Sequence, residues 1–180
     1  MERLRLATAW LGGCSGCHMS FLDLDEFLID LAEKAELVYS PIIDVKRYPE
    51  SVDVALVEGA VANHDHLELI HTIRRNTRVL VSFGDCAVTG NVTALRNSLG
   101  GAEPVLRRSY LEQVDLQPQV PSEKGIVPVL LDRVVPVHAV VKVDHYLPGC
   151  PPPAARIRAV LEQLLTGAAV HLEGRDIKFG

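Results

Sequence analysis

Apolar residues recur along the chain in two kinds of stretch that alternate with each other. Short, mostly apolar runs predict buried β-strands, over residues 4–11, 38–43, 52–57, 77–83 and 140–146. Apolar residues at helical spacing predict helices between or after them, over residues 20–34, 67–75, 87–99 and 154–165. This alternation is typical of an α/β protein with a mainly parallel sheet and helices on both faces. The length of 180 residues predicts a single domain spanning residues 1–180.

Residues 100–137 interrupt this pattern, because prolines are scattered through a segment that has no regular apolar period. We expect a long irregular loop there. A loop of this length inside one domain usually binds a partner or serves the function directly. Residues 166–180 are predicted to form a tail after the last helix.

Composition excludes several classes of protein. Hydrophobic residues make up 48% of the chain and charged residues 23%, a globular balance that argues against disorder. The 18 basic and 23 acidic residues give a net charge of −5, which disfavours binding of nucleic acid. No apolar run approaches the ~20 residues of a membrane span. The apolar stretch near the N-terminus is shorter than a signal-peptide core. We therefore expect a cytoplasmic protein without a membrane span, with its thiols reduced.

The positions of the four cysteines point to shared chemistry. Cys14 and Cys17 follow the first predicted strand, Cys86 follows a later strand, and Cys150 follows the last. Loops that follow parallel strands lie at one edge of a sheet, the carboxyl edge, so the cysteines should converge there. A glycine stands one or two positions before each cysteine, where it lets the backbone approach a bulky group closely.

Three kinds of site compete for these thiols. A structural zinc site also uses four thiolates, but it usually presents two local pairs, and here one pair is local. A thioredoxin-like redox pair at Cys14 and Cys17 leaves Cys86 and Cys150 unexplained. A 4Fe–4S cluster uses all four and tolerates long spacings; Pro151 after Cys150 is also typical of ferredoxin motifs. The pattern favours the cluster, with the other two as alternatives.

Two residues near these loops have competing interpretations. Glu58 ends an apolar strand, where a carboxylate is costly unless it is hydrogen-bonded. It is either a cap for a nearby loop or helix, or a supporting or proton-path residue near the cluster. His18, directly after Cys17, is interpreted as an interface residue, with donation to a cluster sulfur as the alternative.

Four ordered motifs resemble those of nickel–iron hydrogenase small subunits, over about residues 4–163. They are Gly12-Gly13-Cys14-Ser15-Gly16-Cys17, Val57-Glu58-Gly59-Ala60-Val61, Gly84-Asp85-Cys86-Ala87 and Pro148-Gly149-Cys150-Pro151-Pro152. The resemblance implies a flavodoxin-like fold with the cluster at the carboxyl edge of the sheet. It also implies that Cys14, Cys17, Cys86 and Cys150 bind the proximal 4Fe–4S cluster, near the nickel–iron centre of a separate large subunit. Glutamate occurs in the family at the position of Glu58.

Differences from related sequences indicate which type of iron–sulfur subunit this chain resembles and how many clusters it binds. The related subunit of respiratory complex I has two adjacent cysteines where this chain has Cys14-Ser15-Gly16-Cys17, and this difference in spacing favours a hydrogenase. An iron–sulfur subunit of a complex I-like NAD(P)H or quinone oxidoreductase is the alternative function. No cysteine follows Cys150, which predicts one cluster. Gly13, Ser15 and Gly16 are not cysteine, which excludes the cysteine-rich cluster of oxygen-tolerant enzymes.

A short, single-cluster chain looks like the small subunit of the bidirectional NAD-reducing hydrogenases. In these the partners are the nickel–iron large subunit and iron–sulfur/flavin diaphorase subunits. A flavodoxin-like fold also raises the question of FMN. The cysteines fill the loop that would bind its phosphate, so FMN is disfavoured in this chain, and an interface with a partner is the alternative place for it.

Overall fold

The computed structural model describes residues 3–180 and contains a five-stranded parallel sheet. Its strands are β1 (Leu4–Trp10), β2 (Ala35–Tyr39), β3 (Val52–Glu58), β5 (Thr77–Phe83) and β7 (His145–Leu147). They lie in the order β2-β1-β3-β5-β7, and every adjacent pair is parallel. This is the flavodoxin-like strand order. The predicted fold class is confirmed.

Side chains alternate between the two faces of the sheet, and each face carries its own core. On one face Leu56 and Phe83 pack against the helices α1 (Gly16–Leu22), α2 (Phe27–Lys34) and α6 (Ala154–Leu165). On the other face Val57 and Leu80 pack against α3 (His64–Asn76) and α4 (Asp85–Thr89). Because both faces are covered, the strands are apolar on both sides, as their continuous runs predict.

The helix predicted over residues 20–34 is wrong in its bounds, because the structure has two helices there. Helix α1 begins earlier, at Gly16, and a turn around Asp25 separates it from α2. Asp25 has a positive φ of 49°, which an α-helix does not accommodate. Leu24 and Phe27 are buried on either side of the turn, so the apolar stripe continues although the helix does not.

The irregular loop predicted over residues 100–137 is also wrong in part. Helix α5 (Glu103–Arg107) begins with Pro104 in its first turn, a position that suits proline. Strand β6 (Leu130–Val135) pairs antiparallel with β4 (Val61–Asn63) in a small second sheet, and its residue Val134 is buried. The irregular part is reduced to the segment between Gln113 and Val129.

The ends of other helices and strands differ from the predicted ones for local reasons. The predicted helix over residues 87–99 divides into α4 and a 3₁₀ helix (Asn91–Leu99), since Gly90 is left-handed at φ 87°. Strand β7 is shorter than predicted, while β5 and α6 have the predicted bounds. No helix in the part of the chain between residues 3 and 180 is both long and apolar enough to cross a membrane.

Candidate metal centre

The loops after β1, β3, β5 and β7 meet at the carboxyl edge of the sheet and carry the cysteines and Glu58. Strand order reverses between β1 and β3, the position at which sheets of this type bind ligands. Cys17 and Cys86 are buried, whereas Cys14 and Cys150 are exposed, and all four are free thiols. The site therefore has two enclosed sulfurs and two that open to the surface.

The loop after β1 is fixed to the loop after β3 by the backbone. The Gly12 and Ala60 N–H groups donate to each other's carbonyl oxygens at 2.8 Å, and the Leu11 N–H donates to the Glu58 carbonyl at 2.8 Å. Gly59, at φ 88°, lies so close that a Cβ there would be 2.9 Å from the Gly12 backbone. The glycine permits this close approach, which brings Glu58 beside the first cysteine pair.

Glu58 caps the helix that carries Cys17. Its Oε1 accepts from the Cys17 N–H at 3.3 Å and its Oε2 accepts from the His18 N–H at 3.0 Å. Helix α1 has no side-chain cap from its preceding residue, Ser15, which is left-handed at φ 67°. Because first-turn N–H groups lack helical partners, the carboxylate satisfies donors that would otherwise be buried without an acceptor. This geometry favours the cap interpretation of Glu58.

His18 is not at the surface, contrary to its interpretation as an interface residue. It is 2% exposed, and its Nδ1 contacts the Glu58 carboxylate. Its ring meets Trp10 edge-on, with 5.3 Å between ring centroids, and lies beside Phe83. His18 thus packs behind the cysteine loop, where it helps to hold the Glu58 carboxylate.

The turn after β5 forms a close-fitting cradle for Cys17. Gly84 has φ 83°, and a Cβ there would lie 2.2 Å from the Cys17 Sγ. The next residue, Asp85, donates its N–H to the Gly149 carbonyl at 2.9 Å, and its Oδ1 accepts from the Gly149 N–H at 2.6 Å. This exchange fixes the Cys86 turn to the Cys150 turn.

Two residues that sequence reasoning missed lie beside the sulfurs. The Asn91 side-chain Nδ2 donates to the Cys150 Sγ at 3.4 Å. Thr93 donates its hydroxyl to the Gly12 carbonyl at 3.0 Å, and its hydrogen bonds partly offset the rise in the pKa of the Cys86 thiol. The signal in the sequence for Asn91 is an asparagine that directly follows a glycine, Gly90, and lies five residues after Cys86.

The thiols influence one another electrostatically. Burial raises the pKa of Cys17 far above that of a free thiol, and the Glu58 carboxylate and the other three cysteines raise it further. Burial also raises the pKa of Cys86, with Cys150 and Cys14 adding to the rise. Without a neighbouring positive charge these two sulfurs stay protonated, whereas a coordinated metal deprotonates a thiol. A metal that binds here therefore has to displace the protons of these two thiols.

The cysteines in the described part of the chain are not arranged around a single metal ion. Within residues 3–180, no three His, Cys, Asp or Glu side chains are placed to hold a single metal ion. All four cysteines nevertheless lie at the carboxyl edge, close enough that the charges of Cys14, Cys86 and Cys150 raise the pKa of Cys17. A tetrahedral zinc ion holds its sulfurs at about 2.3 Å, whereas a cluster with several irons spaces its ligands farther apart.

Comparison with a family model gives one match over most of the chain. The model of the 20 kDa subunit of NADH ubiquinone oxidoreductase matches residues 14–164, a range that begins at the first cysteine and includes the last.

Among curated proteins, the delta subunit of the NAD-reducing hydrogenase HoxS from Cupriavidus necator is 40% identical over 94% of this chain and 82% of its own length. An F420-non-reducing hydrogenase from Methanococcus voltae has a subunit that is 42% identical over 97% of this chain. This chain spans 58% of that longer relative.

Among solved structures, a chain of an NAD⁺-reducing [NiFe]-hydrogenase in the H₂-reduced state superposes with a TM-score of 0.94. That chain is 40% identical, and the match covers 99% of this chain and all of that one. A [NiFeSe]-hydrogenase from Desulfomicrobium baculatum superposes with a TM-score of 0.57 at 16% identity, a likeness of fold.

Proposed function

This chain belongs to the family of the 20 kDa subunit of NADH ubiquinone oxidoreductase, and we propose that within this family it is the electron-transfer small subunit of an NAD-reducing nickel–iron hydrogenase. The relatives it matches at 40% identity or more are hydrogenase subunits, in agreement with the motif resemblance. A role in a complex I-like quinone reductase is therefore not favoured, although the family is named after that enzyme.

The observation that carries the proposal is the meeting of four free cysteines at the carboxyl edge of the sheet. The residues present fit an iron–sulfur cluster: Gly84 leaves room at Cys17, and Asn91 donates to the Cys150 sulfur. We propose that Cys14, Cys17, Cys86 and Cys150 hold one 4Fe–4S cluster. When bound, this cluster supplies one-electron transfer between a hydrogen-splitting centre and an NAD-reducing module.

The chain's own residues contribute placement and shielding. Glu58 fixes the first turn of α1, so that Cys17 and its neighbouring N–H groups keep one orientation. Asp85 fixes the turns of Cys86 and Cys150 relative to each other. Phe83 and Leu147, both nearly inaccessible to solvent, end the strands beneath these turns and exclude water from below. Fixed donors and exclusion of water are the protein's main means of setting the potential of such a group.

The proposed partners follow from the names of the relatives and from the exposed side of the site. Cys14 and Cys150 face outward and need a cover, which we assign to a nickel–iron large subunit. Iron–sulfur and flavin diaphorase subunits would receive the electrons and reduce NAD. The proposed compartment is the cytoplasm, where thiols remain reduced and available as ligands.

Anaerobic purification of the tagged chain tests the proposal. We expect a nickel–iron subunit and a flavin subunit to accompany the chain, and the complex to reduce NAD with hydrogen. Zinc in place of iron would support the structural-zinc alternative. A complex that oxidises NADH with quinone but is inert to hydrogen would contradict the hydrogenase assignment and restore the complex I-like one.

A further inference from the structure

Asn91 occupies an unusual backbone position beside a proposed ligand. Its φ is 35°, a left-handed value that few residues other than glycine adopt and that asparagine tolerates better than most. Its side-chain Nδ2 lies 3.4 Å from the Cys150 Sγ, within hydrogen-bond reach of sulfur. The backbone geometry therefore serves to place an amide N–H against this sulfur.

The turn that holds Asn91 is fixed at several points. The Thr89 hydroxyl accepts from the Asn91 N–H at 3.3 Å and itself donates to the Asp85 carbonyl at 2.9 Å. Gly90, also left-handed, donates its N–H to the Cys86 carbonyl at 2.9 Å, and a Cβ there would be 2.8 Å from the Ala94 Cβ. Asn91 is thus anchored to the turn that carries Cys86 while its side chain reaches Cys150.

We propose that the Asn91 amide donates a hydrogen bond to the Cys150 sulfur of the bound cluster and raises the reduction potential of that cluster. The inference rests on the proposed cluster and makes Asn91 a positioning and tuning residue. Reduction adds one negative charge, which is spread over iron and sulfur. A donor aimed at the sulfur stabilises the reduced form more than the oxidised form, since hydrogen bonds to charged acceptors are the stronger ones.

Cys150 is one of the two proposed ligands that the chain leaves exposed. Its sulfur is at the surface, so solvent would otherwise hydrate it. Once a partner covers this edge, water is displaced and the half-buried Asn91 remains as a donor supplied by the chain itself. The potential then depends on a fixed protein group instead of on solvent.

Two substitutions test the side-chain hydrogen bond of Asn91 separately from the left-handed backbone of the same residue. Asn91→Gly keeps the left-handed conformation and removes the donor, and Asn91→Asp keeps the shape while it replaces the amide by a carboxylate. Ser51→Gly is the matched control, because Ser51 is exposed and left-handed at φ 57° but precedes β3 at the opposite edge of the sheet.

The test is a redox titration of the anaerobically purified complex, followed by paramagnetic resonance of the reduced cluster. For Asn91→Gly we expect about a tenfold lower ratio of reduced to oxidised cluster at fixed potential, which is ~59 mV for one electron. Asn91→Asp should shift the midpoint further in the same direction, and Ser51→Gly should match the unsubstituted complex. Unchanged midpoints in both Asn91 variants with the cluster intact would overturn the proposal.

If both variants lose the cluster, the unsubstituted complex supplies the test. Asparagine labelled with the heavy nitrogen isotope should give a nitrogen coupling in pulsed resonance of the reduced cluster. Absence of that coupling would overturn the role of Asn91. Failure of the proposed function is recognised separately, since iron and sulfide analysis of the unsubstituted complex would then find no cluster on this chain.

Discussion

At the residue scale, the four cysteines differ in how the protein surrounds them. Cys17 is enclosed by Gly84 and by the capped start of α1, and Cys86 lies within α4. Cys14 and Cys150 complete the set from the surface. A ligand at the surface has alternatives in solvent, whereas an enclosed ligand has none, so the loss of either kind should have a different outcome.

Replacing each cysteine by alanine tests the ligand set. We expect Cys17→Ala and Cys86→Ala to abolish the cluster, because these positions are buried and water cannot replace the lost sulfur. Cys14→Ala and Cys150→Ala should lose it or retain a three-iron form, since one corner of the cluster lacks a ligand. Iron analysis and paramagnetic resonance distinguish these results. An unchanged 4Fe–4S spectrum in Cys150→Ala would contradict the assignment.

Glu58 is expected to act as a helix cap. Glu58→Ala leaves the buried Cys17 and His18 N–H groups without an acceptor, at a cost of about 1–3 kcal/mol for each. The fraction of protein that retains the cluster should fall together with this loss of stability. Glu58→Gln keeps one carbonyl acceptor, so hydrogen turnover should stay within a few-fold of the unsubstituted protein.

Measuring hydrogen–deuterium exchange beside dye reduction shows whether Glu58 has the other role. If Glu58→Gln abolishes both activities while the cluster remains visible, the residue belongs to a proton path and the cap account is wrong. Loss of dye reduction alone would point to the electron path.

At the element scale, the turn between β5 and α4 sets the fit of the site. Gly84→Ala should eliminate cluster binding, because its Cβ would lie 2.2 Å from the Cys17 Sγ. Gly100→Ala is the matched control: its φ of 87° imposes a similar left-handed strain, but nothing lies within 4 Å of the added Cβ. The control should lose about 1–2 kcal/mol of stability and keep its iron. Equal iron content in both variants would contradict the proposal that cluster binding requires the close fit between Gly84 and the Cys17 sulfur.

Strands and helices with strong apolar patterns could be predicted from the sequence, and connections between them could not. The sequence pattern located β5 and α6 because long apolar periods and flanking glycine or proline mark their ends. The turn at Asp25 was missed, since a helical stripe continues through it. Strand β6 was missed because its burial depends on pairing with β4, a contact distant in sequence.

Some features of the candidate site could likewise be predicted from the sequence, and others could not. Topology alone was enough to bring the cysteines to one edge, because every one follows a parallel strand. The Glu58 cap, the burial of His18 and the Asn91 donor depend on distances between loops, which no spacing in the sequence encodes. These contacts became visible with the structure.

At the scale of the whole molecule, the cysteine edge has the character of an interface. Trp10 at the end of β1 is 38% exposed, Tyr146 in β7 is 43% exposed, and Met19 on α1 is 62% exposed. Apolar side chains beside two exposed ligands indicate a surface that a partner covers. Permanent interfaces of this kind usually bury more than ~2,000 Å².

Separation from the partner should therefore destabilise the cluster. We expect the chain in the complex to keep its iron in air or chelator much longer than the chain alone, because the partner covers Cys14 and Cys150. Iron release followed by absorbance measures the difference. A cluster-loaded monomer that is equally stable and has no affinity for a nickel–iron subunit would count against the interface.

The proposed function depends above all on the binding of one 4Fe–4S cluster by the four cysteines of this chain. Its most direct test is iron, sulfide and zinc analysis of the chain after anaerobic reconstitution, with a Cys86→Ala/Cys150→Ala double variant treated identically. We expect about four irons and four sulfides per chain, no zinc, and a large loss of iron and sulfide in the double variant. About eight irons, a single zinc ion, or the same iron content in the double variant would contradict it.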